Sequence, residues 1–159
     1  MITGVVKPAL RKIRRAAPLY SRARQFSASS NMEHFKPKQA HEFLQAHADA
    51  VLIDVRSEVE FLFVGHPVGA INVAWSEAPD WEINPHFVAQ VKAEAGVEQP
   101  VLLICRSGTR SVEAGSALEN GGFKKVINVL EGFEGDRDEH HHRGNSGGWR
   151  FHGLPWEQT

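Results

Sequence analysis

The residues best suited to chemistry surround Cys105, the only cysteine of the chain. Four apolar residues at positions 101–104 run directly into it, and small and basic residues follow before a helical pattern begins at Ser111. An apolar run of this length, bounded by turn signals, predicts a strand buried on both faces of a parallel sheet. Cys105 is therefore expected at the carboxyl end of a central strand, where open α/β sheets bind their ligands.

The loop after Cys105 has the composition of an anion-binding turn. Gly108 can take a positive φ angle without steric cost, and its neighbours are small or basic. Successive backbone N–H groups of such a turn, with the N-terminus of the next helix, can surround an anion. A thiol in that setting is expected to ionise easily, and the thiolate is the form that attacks. We therefore predict that Cys105 is catalytic and that the substrate-binding residues are Arg106, Ser107, Gly108, Thr109 and Arg110.

The first 32 residues differ in charge from the rest of the chain. They contain seven Lys and Arg and no acidic residue, whereas residues 33–159 contain 11 basic and 19 acidic residues, a net charge of −8. Apolar residues recur in the segment at helical spacing, opposite the basic ones, and serines follow. This pattern is typical of a mitochondrial transit peptide and predicts the mitochondrial matrix as destination. The alternatives are a disordered extension, a basic helix on a membrane surface, or a bacterial cytoplasmic protein that begins at Met32.

The remaining residues, 33–159, are expected to form one domain. The whole chain is 42% hydrophobic and 23% charged, as in ordinary globular proteins. A single cysteine excludes an internal disulfide, and no apolar stretch approaches the ~20 residues that span a bilayer. We therefore expect no membrane association of this domain. Its acidic charge also argues against a nucleic-acid partner.

Strand-like and helix-like patterns alternate along this domain. Strands are predicted at 51–55, 71–73, 101–104 and 126–130, with helical segments between them and a first helix that begins at Pro37. This alternation predicts an α/β fold in which a central parallel sheet carries helices on both faces. Residues 74–83 are predicted to form a surface loop. The aromatic residues after position 148 are expected to tie the tail, residues 131–159, onto the domain.

Four segments resemble motifs of the rhodanese family of sulfurtransferases, in the order and spacing of that family. In the second of them, Pro67 stands where the family usually has an aliphatic residue. The four segments are residues 52–61, 65–72, 105–111 and 126–132. The resemblance covers roughly residues 35–135 and implies the single-domain form of the rhodanese-like fold.

The resemblance also implies a two-step sulfur transfer without a cofactor. Cys105 would take the outer sulfur of thiosulfate, glutathione persulfide or another persulfide donor and become a persulfide. A thioredoxin-like protein, another thiol, or cyanide in the test tube would then accept that sulfur. The family pattern further indicates that Arg110 ties the loop together more than it binds substrate. Asp54 and Arg56 are assigned to support the loop, because a carboxylate on a buried strand needs a partner.

Other interpretations of the same residues remain open. Cys105 can be a merely buried small side chain, or the domain can be a rhodanese-type binding module. Cysteine-dependent phosphatases and similar arsenate reductases also hold a thiolate in a ring of N–H groups, but with five residues between cysteine and arginine. Here four residues separate Cys105 from Arg110, which favours sulfur over the larger phosphoryl group. The run 140–142 of histidines lacks the spacing of a preformed metal site, so no metal is predicted.

Overall fold

The computed structural model describes residues 30–159, and the predicted transit peptide lies almost wholly outside them. A single π-helical turn occupies Glu60–Val64. The helices are α1 (Pro37–Ala46), α2 (Phe87–Glu94) and α3 (Arg110–Asn120). The strands are β1 (Glu33–Phe35), β2 (Val51–Asp54), β3 (His66–Pro67), β4 (Ile71–Asn72), β5 (Ser76–Glu77), β6 (Glu82–Ile83), β7 (Val101–Ile104), β8 (Val126–Val129) and β9 (Trp156–Glu157).

Five of these strands form the central sheet, in the order β1-β8-β7-β2-β4, and all the neighbouring pairs are parallel. All four residues of β7 are buried, as expected for a strand covered on both faces. Ile104 at its end lies opposite Asp54 of β2, so the two strands end at the same level. The register therefore places Cys105 beside the residues that follow β2, in the middle of the carboxyl edge.

Apolar side chains cover both faces of the sheet, which confirms the predicted α/β class. On one face, Leu103 and Cys105 pack in a cluster with Val91 of α2 and Leu118 of α3. On the other face, the cluster includes residues of α1 and two aromatic side chains of the tail, Ala40, Phe133 and Trp149 among them. The thiol thus sits between the sheet and α3, and the tail completes the opposite layer.

Three features differ from, or add to, the sequence-based expectations. Trp75 is buried, because its ring packs edge-on against Phe87 at 5.1 Å between centroids and its indole N–H reaches Glu113 at 3.3 Å. The rest of the expected surface loop forms the β5–β6 hairpin, with Trp81 exposed at its tip. Met32 also belongs to the core, where it packs beside α3.

None of the helices found in residues 30–159 has the length and apolar character to cross a membrane.

Candidate active site

Cys105 lies directly after β7, with its side chain turned toward the start of α3. Its Sγ accepts a hydrogen bond from the N–H of Gly108 at 3.0 Å and lies 3.2 Å from Oγ of Ser111. Gly108 has φ +97°, a conformation that side chains rarely adopt, and this turn brings its N–H back toward the sulfur. Cys105 is 1% exposed, so these two groups, the loop backbone and the apolar cluster around Leu103 set the environment of its sulfur.

The remaining N–H groups of the loop have no acceptor among the described residues. Within residues 30–159, the amides of Arg106, Ser107, Thr109 and Arg110 donate to no other protein atom. One amide, rather than the expected closed ring, touches the sulfur itself. The others, with the positive end of α3, are available to an anion that enters the loop.

The guanidinium of Arg110 is held by Glu60 through two hydrogen bonds. Its Nη1 and Nη2 donate to the two carboxylate oxygens at 2.9 and 2.7 Å, across 50 positions of sequence. Glu60 also accepts from the backbone N–H and the hydroxyl of Ser57, each at 3.0 Å. Burial alone would raise the pKa of Glu60, but its bonds to Arg110 and Ser57 lower it from 4.5 to about 2. The pair therefore locks the end of the Cys105 loop to the π-helical turn.

Replacing Glu60 by glutamine is expected to loosen this lock and to lower stability at pH 7 by about 2 kcal/mol. The full pKa shift corresponds to about 3 kcal/mol, and the partial exposure of the pair, 16% and 22%, reduces it. Because the pKa is lower in the folded state, the contribution is complete above pH 4.5 and is lost as the pH falls toward 2. Urea unfolding at pH 7 and at pH 3 measures the change.

Glu58→Gln is the matched control for this prediction, since Glu58 is exposed and pairs with no cation in the described part of the chain. Its stability should stay within about 0.5 kcal/mol of the wild type at either pH. Equal stability of the Glu60→Gln and Glu58→Gln proteins at pH 7 would contradict the role given to the ion pair.

Asp54 and Arg56 form a second ion pair, and both side chains are fully buried. The guanidinium of Arg56 donates to the carboxylate through Nε and Nη2, the shorter contact being 2.6 Å, and Nη2 also donates to the carbonyl of Gly65. It stacks on the ring of Phe133 at 4.5 Å from the centroid. Among the described residues its Nη1 has no partner. The pair thus joins the end of β2 to the 65–67 turn and to the tail.

The tail contacts the Cys105 loop directly, which sequence analysis did not predict. The N–H of Phe133 donates to the carbonyl of Cys105 at 2.8 Å, and the N–H of Glu134 donates to that of Arg106 at 2.9 Å. Gly132, at φ +62°, passes so close that an added Cβ would lie 2.6 Å from the carbonyl carbon of Arg106. The glycine after β8 was the one sequence signal for this close approach.

Arg143 is a further cation that the tail brings near Arg106. Its Nη1 donates to the carbonyl of Gly135 at 2.6 Å, while Glu134 next to it bonds to the Cys105 loop. Burial, and then the positive charge of Arg106, lower the pKa of Arg143. Arg106 itself is exposed. Of the two loop arginines, Arg106 therefore has the freer guanidinium for an incoming anion.

Residues 138–145 form a separate loop held by Asp138. Its Oδ1 accepts from the backbone N–H groups of His140 and His142, and its Oδ2 accepts from Asn145. No group of three or more His, Cys, Asp or Glu side chains within positions 30–159 is arranged to hold a metal ion.

Comparisons with known proteins show which family the chain resembles. A family model for the rhodanese-like domain matches residues 36–139. "Thiosulfate sulfurtransferase 16, chloroplastic" of Arabidopsis thaliana is 32% identical over 105 residues, which cover 65% of this chain and 76% of that protein. A protein of Rickettsia conorii without an assigned role is 31% identical over 124 residues, covering 75% and 92%.

A solved structure also shares the fold of this chain. The crystal structure of Rv0390 from M. tuberculosis superposes with a TM-score of 0.73 at 38% identity, over 82% of this chain and 100% of that one. The family model and the shared fold thus agree. The chain belongs to the rhodanese family.

Proposed function

We propose that the protein is a sulfurtransferase that carries sulfur on Cys105. The observation that carries this proposal is the environment of Sγ, which accepts the Gly108 N–H at 3.0 Å at the carboxyl end of the central strand. A persulfide anion on Cys105 would be stabilised by such preorganised donors. The free amides of the loop offer further donors to its outer sulfur.

The proposed reaction has two displacements. The Cys105 thiolate attacks the outer sulfur of thiosulfate, the S–S bond of the donor breaks, and its electron pair leaves with sulfite. Cys105 then carries a persulfide, whose outer sulfur is attacked by a thiolate or by cyanide, and the cysteine thiolate is restored. Arg106 is proposed to attract the dianionic donor, and Ser107, Gly108 and Thr109 to surround it with backbone donors. Arg110 is proposed to act on the loop rather than on the donor, since Glu60 occupies its guanidinium.

Thiosulfate is the proposed donor, with glutathione persulfide and protein persulfides as donors of the same chemistry. The names of relatives support this choice, namely the Arabidopsis enzyme above and the thiosulfate sulfurtransferase GlpE of Haemophilus influenzae, which is 29% identical over 99 residues. A homodimeric polysulfide-sulfur transferase of Wolinella succinogenes also shares the fold, with a TM-score of 0.54 at 26% identity. The proposed acceptor is a thiol, such as that of a thioredoxin-like protein.

Incubation with thiosulfate and cyanide should produce thiocyanate, and incubation with thiosulfate alone should add one sulfur atom to Cys105. Colorimetric assay measures the first product and peptide mass spectrometry the second. Assays with p-nitrophenyl phosphate and with arsenate test the rival chemistry. Those reactions need an arginine free to hold a tetrahedral anion, and Arg110 is already paired. Phosphate release or arsenate reduction without thiocyanate would reject the sulfurtransferase proposal, and the absence of every product would favour a binding module.

For the first 32 residues we propose a mitochondrial transit peptide, on the charge and periodicity described above. The folded domain then begins near residue 33, but Met32 packs in the core, so cleavage of such a peptide would have to fall before Met32. A start at Met32 in a bacterium is the alternative, and the relatives from Rickettsia and Haemophilus are bacterial. A fluorescent reporter that carries residues 1–32 should accumulate in the mitochondrial matrix of eukaryotic cells, and a diffuse cytosolic signal would contradict the proposal.

A further inference from the structure

Three consecutive side-chain hydrogen bonds connect Cys105 to the edge of the sheet. Sγ lies 3.2 Å from Oγ of Ser111, whose Oγ lies 2.6 Å from Oδ1 of Asn128. Nδ2 of Asn128 lies 3.2 Å from Nδ1 of His34, its register partner on the edge strand β1. The first three residues are at most 1% exposed, whereas His34 is exposed. The chain of bonds thus links a buried thiol to an imidazole in contact with solvent.

The direction of these bonds matches a neutral thiol. Ser111 has one hydroxyl proton, and in this arrangement it goes to Oδ1 of Asn128. The contact between sulfur and Ser111 is then a hydrogen bond only when Cys105 supplies the proton as S–H. At the other end, Asn128 donates to Nδ1 of His34, so that nitrogen carries no proton.

For Ser111 to donate a hydrogen bond to a thiolate, every bond in the chain must reverse. The sulfur then accepts only, so Ser111 must turn its proton toward Sγ. Asn128 must present Nδ2 to Ser111 and Oδ1 to His34. Oδ1 facing Nδ1 is stable only when Nδ1 carries a proton, as in the imidazolium or the Nδ1–H tautomer. The protonation states of Cys105 and His34 are therefore coupled through the donor and acceptor roles of two buried side chains, Ser111 and Asn128.

We propose that His34 is a positioning residue for Cys105, whose Nδ1–H form orients Asn128 and Ser111 so that the hydroxyl proton points at the thiolate. The thiol proton itself leaves to solvent, and no proton travels along the chain of bonds. This inference rests on the proposed function, because sulfur transfer is the reaction that needs the thiolate.

Charged groups lie near both ends of the hydrogen-bonded series Cys105–Ser111–Asn128–His34, which we call the relay. Arg110, paired with Glu60, lies beside Cys105. Burial lowers the pKa of Arg110, but Glu60 and the charge of Cys105 outweigh this effect, so the pKa is raised above its usual value. Near His34, the charged groups are Lys36 and the Glu33–Lys125 pair at 3.6 Å. In the described part of the chain, none of these groups hydrogen-bonds to Ser111, Asn128 or His34. They therefore do not determine which atoms donate and which accept along the relay.

The test is the pH dependence of Cys105 alkylation by iodoacetamide in the full-length protein. His34→Phe removes the donor, so the midpoint of the rate profile should rise by about one pH unit, and alkylation below the midpoint should slow about tenfold. His34→Asn offers an amide N–H in place of Nδ1–H and should restore most of the wild-type profile. His86→Phe, at an exposed histidine whose side chain has no part in the relay, should leave the profile unchanged.

A reciprocal measurement follows His34 itself by proton NMR. Coupling between two sites is mutual, so the titration midpoint of His34 should fall in a Cys105→Ser protein, which cannot form a thiolate. An unchanged His34 titration, superimposable alkylation profiles for the wild type and His34→Phe, or no rescue by His34→Asn would each overturn the relay. Thiocyanate formation is scored separately. Its absence together with a shifted alkylation profile would reject the sulfurtransferase proposal and leave the relay intact.

Discussion

Replacing Cys105 by serine is expected to lower kcat/KM for thiocyanate formation from thiosulfate and cyanide by more than about 10³-fold. Loss of a catalytic nucleophile has effects of this size. A serine hydroxyl is not ionised at neutral pH, and none of the described residues bonded to the Cys105 side chain is a base, so the first displacement would stop. No sulfur atom should appear on residue 105 in the mass spectrum after treatment with thiosulfate.

The serine protein should nevertheless fold like the wild type. The hydroxyl is smaller than the thiol but can still bond to Gly108 and Ser111, so the change in unfolding free energy should be below about 1.5 kcal/mol. Urea unfolding of both proteins provides this control. A folded serine protein that retained wild-type turnover would show that sulfur does not pass through Cys105.

Replacing Asp54 by leucine is expected to cost about 3–5 kcal/mol of folding stability. The guanidinium of Arg56 is fully buried and relies on Asp54 for its charge balance, so the variant leaves an uncompensated cation in the core. The same change frees Phe133, whose ring lies against Arg56 and whose N–H holds the carbonyl of Cys105. Sulfurtransferase activity should therefore fall at temperatures where the protein is still folded. Urea unfolding and the thiocyanate assay measure the two effects.

The double variant Asp54→Leu with Arg56→Met separates charge balance from packing. It removes both charges and keeps apolar side chains of similar length, so about half or more of the lost stability should return. If the double variant were as unstable as Asp54→Leu alone, the loss would come from shape rather than from the unpaired guanidinium.

The elements that position Cys105 were predictable from local patterns. The apolar run 101–104 forms the buried central strand, and Gly108 adopts the positive φ angle that its place in the loop required. The alternation of strands and helices gave the parallel sheet with both faces covered, because these periods depend on neighbouring residues alone. The family resemblance, carried by the same segments, is confirmed.

The contacts that hold the loop were not predictable in the same way. Glu60 and Arg110 are 50 positions apart, and no local period indicates which carboxylate meets which guanidinium. Trp75 was expected at the surface because acidic and proline residues follow it, but tertiary packing against α2 buries it. Asn128 lies on a strand that reads as apolar, and only the pairing of β8 with β1 and its proximity to α3 give it two polar partners. Such contacts depend on the assembled fold.

The excursion between Gly135 and Gly148 has a practical consequence for protein engineering. These two glycines are in contact, since a Cβ added to Gly148 would lie 2.6 Å from the backbone nitrogen of Gly135. Both ends of the 136–147 segment are thus fixed at one point, while the flanking chain carries Phe133 and Trp149 into the core. Lengthening a loop whose ends already meet costs little closure entropy. The 136–147 segment is therefore a suitable place to insert a foreign peptide, because an insertion there would not separate the two halves of the tail.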